Sequence, residues 1–267
     1  KNGIATSMAS IIPDGVWFND IPLSRKLARM VNDYAAQLAR DYPGRYGVFA
    51  SIALPDVDGS LKEIEYAFDV LKADGIAIMT SFGNLYPGDP KAWPVLEELN
   101  RRKAVVYTQP LTCCGNPVAQ WISSSAIEYV ADTTRAIASL LFSGAATRYP
   151  DIRWIFSHGG GVMPFVYSRF TRQEASLPVE ERKKLLPKGV DYELAKFYYE
   201  TAQANHAGGL DALLRVAPVS QVMFGSDYPF RPGSEVVEGL TKYGFSRADL
   251  EAIDRGNALR LLPRWRT

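Results

Sequence analysis

Cysteine and histidine are scarce in this chain, two of each among 267 residues, and neither sign of charge is in excess. The cysteines, Cys113 and Cys114, are adjacent, a spacing at which two thiols seldom bridge each other. A disulfide framework is therefore excluded, and a reducing compartment, the cytoplasm, is expected. Lys and Arg number 30 against 29 Asp and Glu, a formal charge of +1, so no basic face for nucleic acid or a membrane surface is implied. No apolar run approaches bilayer-spanning length, and the first residues show no signal-peptide pattern. An initiator methionine is missing too. The chain opens Lys1-Asn2-Gly3-Ile4 and enters a strand-like run at once, which reads as the middle of a protein.

What is present is the make-up of an ordinary globular protein, 47% hydrophobic and 22% charged, able to bury a substantial core. Strand-like and helix-like stretches alternate along it without a low-complexity linker, the pattern of a parallel sheet with helical crossovers. Seven strands are expected, near residues 4, 46, 76, 104, 152, 197 and 222. The first covers Ile4 to Ile12, the third Ile76 to Phe82 and the sixth Phe197 to Ala204. From Ser24 to Arg40 the residues Leu27, Met30, Val31, Tyr34 and Leu38 recur at helical spacing. The charge run Val179 to Lys188 reads as a solvated excursion. Residues 1–267 are thus expected to form one (β/α)₈ TIM-barrel domain, whose eighth strand would belong before residue 4.

Two stretches carry the chemical signal. Ile152-Arg-Trp-Ile-Phe-Ser-His158 and Val222-Met-Phe-Gly-Ser-Asp227 each stop at an ionisable side chain, with glycine or proline following at once. In an α/β barrel the C-terminal ends of the strands form the active-site face, so His158 and Asp227 are candidate catalytic groups. The bland alternatives are a satisfied buried histidine and an aspartate that caps the next helix. Phe82, Tyr86, Tyr107 and Phe230 fall at or just past strand ends, where they can wall a flat pocket; Phe82, Tyr107 and Phe230 are taken as candidate substrate-binding residues.

Phe156-Ser-His158-Gly-Gly-Gly-Val-Met-Pro164 and Phe224-Gly-Ser-Asp227-Tyr-Pro-Phe230 resemble the amidohydrolase-related decarboxylases. That family includes the aminocarboxymuconate-semialdehyde, γ-resorcylate and 6-methylsalicylate decarboxylases. Asp132-Thr-Thr-Arg-Ala-Ile, Arg148-Tyr-Pro-Asp-Ile and Asn257-Ala-Leu-Arg-Leu-Leu-Pro263 extend the likeness over essentially the whole chain. The resemblance implies a (β/α)₈ barrel of amidohydrolase type, a divalent metal (zinc or manganese), Asp227 as metal ligand and proton carrier, and His158 as catalytic histidine. It also implies a non-oxidative decarboxylase acting on a small aromatic or muconate-type acid. The family's remaining metal ligands depart from this pattern. The His-x-His pair of its first strand is absent, and Thr108-Gln109-Pro110 stands where a His-Pro motif is expected, leaving Gln109 as a neutral donor. Zinc sites are built from imidazole, thiolate or carboxylate, so weak or absent metal binding is expected of this chain; Cys113 and Cys114 are poor substitutes. Two other readings stay open: hydrolysis of a lactone or amide, and a barrel that only binds a small acid. A homodimer is a further expectation.

Overall fold

The computed structural model describes residues 3–112 and 121–266, which leaves Cys113 and Cys114 outside the described residues. Seven strands form one parallel sheet: β1 (Ser7–Ala9), β2 (Tyr46–Ser51), β3 (Gly75–Met79), β4 (Val105–Gln109), β5 (Arg153–Phe156), β6 (Tyr198–Glu200) and β7 (Val222–Met223). Each pairs with the next in chain order, so β1 and β7 are the sheet's edges among the described residues. The helix α1 (Ile21–Asp41) joins β1 to β2, α2 (Val57–Glu65) joins β2 to β3, and α3 (Trp93–Arg101) joins β3 to β4. Next, α4 (Ser124–Phe142) and α5 (Ala145–Arg148) precede β5, while α6 (Met163–Ser176), α7 (Val179–Leu185) and α8 (Gly189–Lys196) precede β6. Beyond β6 come α9 (Ala207–Val216), then β7, then α10 (Gly233–Tyr243), α11 (Arg247–Glu251) and α12 (Asn257–Leu261).

All seven expected strands are present, but several stop early, and the reasons lie in side chains that capture the backbone or turn away from it. The strand expected over 197–204 ends at Glu200, whose own carboxylate takes the Ala202 N–H at 2.6 Å. The one expected over 76–82 ends at Met79, after which the Thr80 and Ser81 hydroxyls turn to Asp132 on α4. In the run at 179–188 the charges are solvated, yet residues 179–185 are helical, with an exposed Glu180–Lys183 pair, and Leu186 is buried in the core.

Helix α1 starts where Asp20 accepts the Leu23 N–H at 2.9 Å, with proline in the first turn. The face it buries differs from the apolar stripe legible in the sequence. Ser24, Ala28, Asn32 and Ala36 are inside, whereas Met30 and Tyr34 are exposed. Small side chains let the helix lie close on β2, and Asn32 fastens it there. Its amide donates to the Ser51 carbonyl at 2.8 Å and accepts the Ser51 N–H at 2.7 Å.

Strand alternation sorts the core into two clusters. Val48, Ala50, Ile76, Ile78, Val106, Trp154, Phe156 and Val222 pack outward against helices. Phe49, Ala77, Val105, Ile155 and Met223 face the other way, with Tyr107 and Tyr198, and are closed off by Leu261 and Leu262 from the end of the chain. This plug lies at the N-terminal ends of the strands, opposite the face on which His158 and Asp227 emerge. Asp74 fastens it, accepting Val48 N at 2.8 Å, Arg264 Nη2 at 2.6 Å and Trp265 Nε1 at 2.6 Å. Replacing Asp74 with alanine leaves buried donors unpaired, so Asp74→Ala is expected to lose about 2–3 kcal/mol. Urea denaturation of the variant checks this; a loss below about 0.5 kcal/mol would remove the latch from the stability account.

Candidate active site

Three strand ends meet at one place. Beyond β5 the chain enters a left-handed turn at His158 (φ 53°) and stays left-handed through Gly159, Gly160 and Gly161. The glycine run is required sterically: a Cβ at 161 would strike the Val130 carbonyl of α4, and one at 160 would lie 2.9 Å from the Tyr199 ring. Beyond β6, Gln203 is left-handed at φ 53°, and beyond β7 Asp227 is left-handed at φ 58°. Non-glycine residues seldom hold this conformation, and where they cluster the surrounding structure is enforcing it.

Their side chains converge. Gln203 Nε2 donates to Asp227 Oδ2 at 2.6 Å, and His158 Nε2 lies 3.7 Å from the same oxygen. The second distance is an ion-pair contact, longer than a hydrogen bond. Asp227 is not a helix cap: the following helix, α10, has no side-chain cap, and only the Asp227 carbonyl takes the Phe230 and Arg231 N–H groups. Nor is His158 a satisfied core histidine, because it is 7% exposed and its Nδ1 is buried without a partner among the described residues.

Glu200, which the sequence reading passed over, holds the arrangement together. Its carboxylate is buried at the end of β6 and accepts the His158 N–H through Oε1 and the Ala202 N–H through Oε2, both at 2.6 Å. Gly225 makes room for it, since a Cβ there would fall within the Glu200 carboxylate. A lone acid closing an aromatic strand, Tyr198-Tyr199-Glu200, was the available signal. Burial pushes the Glu200 carboxyl upward, against the pull of His158 and the two N–H donors. Burial alone would depress the His158 imidazole, but Asp227 facing it and the charge of Glu200 outweigh that, and the net direction is up.

Tyr107 shares the inner face of β4 with Val105, stacks on Phe49 at 6.0 Å, and has its phenol pushed well above the ordinary range by burial and then by Glu200 and Asp227. Gln109 ends β4 two residues on, buried and in register with Met79. Phe82 is buried and lines a cleft over the ends of β2 and β3, with Ile11, Asp14, Trp17, Ser81 and Leu111. Phe230 stands apart from this enclosed set, 58% exposed. Among the described residues no three His, Cys, Asp or Glu side chains are grouped so as to hold a metal ion, and no helix is long and apolar enough to cross a membrane.

A parallel α/β sheet presenting ionisable groups at the C-terminal ends of its strands is the architecture of barrel enzymes. Residues 15–264 match the family described as Amidohydrolase, and the chain belongs to that family. It is 33% identical over 270 residues to the 6-methylsalicylic acid decarboxylase of Penicillium expansum, covering 98% of this chain and 82% of that protein. The crystal structure of an amidohydrolase II superimposes with a TM-score of 0.90 at 26% identity, covering 98% of this chain and 85% of that one. A dihydroxybenzoic acid decarboxylase from Polaromonas sp., solved with manganese and the inhibitor 2-nitroresorcinol, superimposes with a TM-score of 0.86. At 22% identity, over 100% of this chain and 84% of that one, it shows likeness of fold.

Glu200→Gln tests the pin. The amide turns one acceptor into a donor and sets it against a backbone N–H, so a stability loss of about 1–3 kcal/mol is expected. Turnover should fall more than the folded fraction does, because His158 loses its tether; parallel denaturation and activity measurements decide it.

Proposed function

We propose that the chain is a non-oxidative decarboxylase of a small hydroxyaromatic carboxylic acid, with His158 and Asp227 as its catalytic residues. The observation that carries the reading is the convergence of three left-handed strand-end residues, His158, Gln203 and Asp227, beside a buried glutamate. The family membership and the likeness to 6-methylsalicylic acid decarboxylase support it. In the same reading the seven strands correspond to seven of the eight in a (β/α)₈ barrel.

The chemistry asked of the site is limited. A proton carried by the His158–Asp227 pair passes to the ring carbon that bears the carboxylate. The bond from that carbon to the carboxylate then breaks, its electron pair restores the aromatic ring, and carbon dioxide leaves. Gln203 fixes the carboxylate oxygen that faces the imidazole. The phenol of Tyr107, kept neutral by burial and by two nearby carboxylates, supplies a flat wall without adding negative charge. Phe82, buried in the cleft over the ends of β2 and β3, and the exposed Phe230 are candidate aromatic contacts of the acid. Holding the acid in line with the proton donor is where such a site gains most of its rate.

The donor set described here does not fit a resident zinc ion. Both oxygens of Glu200 are taken by backbone N–H groups. His158 and Asp227 remain, with Gln109 offering a neutral amide, whereas tetrahedral zinc uses three or four imidazole, thiolate or carboxylate donors. No step is therefore routed through a metal. Elemental analysis of the purified 267-residue chain is expected to find zinc well below one equivalent; a stoichiometric content would overturn this.

Incubation with 6-methylsalicylate or 2,6-dihydroxybenzoate in deuterium oxide is expected to release carbon dioxide and leave deuterium on the ring carbon. Asp227→Asn should lower kcat/KM by about 100-fold or more, the usual worth of a positioned proton donor, with little change in melting temperature. Hydrolysis of a lactone or amide without carbon dioxide release would replace this reading with the hydrolase one.

A further inference from the structure

We propose that Asp132, on α4, is the positioning residue that sets the wall of the substrate cleft. The inference rests on the decarboxylase reading and on taking the cleft over the ends of β2 and β3 as the place where the ring of the acid lies. The lining of that cleft holds Phe82 and Leu111 but not His158 or Asp227.

Asp132 is fully buried and has no part in the chemistry described above. Three hydroxyl groups donate to it. Thr80 Oγ1 and Ser81 Oγ reach Oδ2 at 2.5 and 2.8 Å, and the Tyr86 phenol reaches Oδ1 at 2.8 Å. Arg135, one turn along the helix, brings its guanidinium to 3.9 Å of Oδ1. Thr80 passes the restraint on, because its Oγ1 also accepts the Leu111 N–H at 3.1 Å. A second tether lies seven residues along α4, on the same side of the helix, where Ser139 Oγ accepts the Gly88 N–H at 3.1 Å. One carboxylate thus fastens the segment after β3 at three points and the segment after β4 through Thr80. Those two segments supply Ser81, Phe82 and Leu111 to the cleft.

The choice of residue is informative. A buried carboxylate is costly, and well-packed apolar side chains would hold two loops at least as stably. What a carboxylate adds is direction: its lone pairs fix where each hydroxyl sits. Each of the three hydroxyls spends its single proton on Asp132, so none is left to donate to a substrate. Their role is to place Phe82 and Leu111, not to touch the acid.

Asp132→Asn keeps the volume but turns one acceptor into a donor, so at least one hydroxyl loses its partner. The expected result is a KM for 6-methylsalicylate raised about tenfold, the equivalent of roughly 1.4 kcal/mol or one hydrogen bond, with kcat little changed. Thr80→Val, which removes only the hydroxyl, should follow it, while Thr80→Ser should stay at the wild-type KM. If Asp132→Asn does not fold, the Thr80 pair decides. An unchanged KM in Thr80→Val, or a loss confined to melting temperature, would overturn the proposal. Calorimetric titration with salicylate separates the two claims. If the wild type binds salicylate but releases no carbon dioxide from any acid, the decarboxylase reading fails. Weaker salicylate binding by Thr80→Val, but not by Thr80→Ser, would still support the positioning role. Equal binding by all three, or none by the wild type, would overturn it.

Discussion

The arrangement at the C-terminal ends of the strands depends on one buried carboxylate bonded to backbone. Glu200 accepts the N–H of His158 from the neighbouring strand end and the N–H of Ala202 from its own. The first bond holds a histidine in a left-handed conformation that costs of order 1 kcal/mol or more. The second ends β6 and turns the chain so that Gln203 can reach Asp227. Charge-assisted bonds of this kind are worth about twice a neutral one. Here two of them fix the relative positions of three strand ends. Gly225 belongs to the same constraint, since no side chain fits between β7 and the Glu200 carboxylate.

Much of the framework was legible because it is written in local signals. The seven strands show as β-branched and aromatic runs ended by glycine, proline or a polar residue. His158 and Asp227 were visible as ionisable groups at the points where two such runs stop. The glycines after His158 were visible too, and the structure gives their cause: successive left-handed residues pressed against α4 and β6. What stayed hidden depends on partners distant in sequence. Glu200 lies 42 residues from the N–H it binds, and the Asp132 carboxylate draws hydroxyls from 46 to 52 residues away. In sequence the first is a lone acid after two tyrosines and the second part of a family-like stretch in mid-helix, and neither reveals its partners. The burial of α1 was misjudged for a related reason. The Asn32 bonds to Ser51 reward a close approach that small residues permit and a Met or Tyr stripe would prevent.

The two ends of the sheet solve different problems with the same chemistry. At the N-terminal end Asp74 gathers donors from Val48, Arg264 and Trp265, and the last turns of the chain close the inner face beneath Phe49 and Ile155. That end is sealed by apolar packing. At the opposite end the inner face carries Tyr107 and Gln109, then the polar strand ends, so the interior turns from dry to polar over a few residues. In the proposed function such a gradient offers a flat acid an apolar wall for its ring and an ionisable rim for its carboxylate.

The acids at the two ends of the sheet can be told apart by how fully their oxygens are engaged. Asp74, Asp132 and Glu200 are each saturated, by backbone, indole and guanidinium donors in the first case, hydroxyls in the second and backbone N–H groups in the third. A carboxylate whose lone pairs are filled in this way is a structural acceptor, and moving a proton onto it means breaking bonds that order the fold. Asp227 differs. Among the described residues it receives one hydrogen bond, from Gln203, and faces an imidazole too distant to bond in the resting geometry. Of the four it is the carboxylate least tied into the fold by its own oxygens, 3.7 Å from a histidine. In the proposed function that contrast, and not the presence of an acid as such, singles out Asp227 for the chemistry and leaves the other three as structural acceptors.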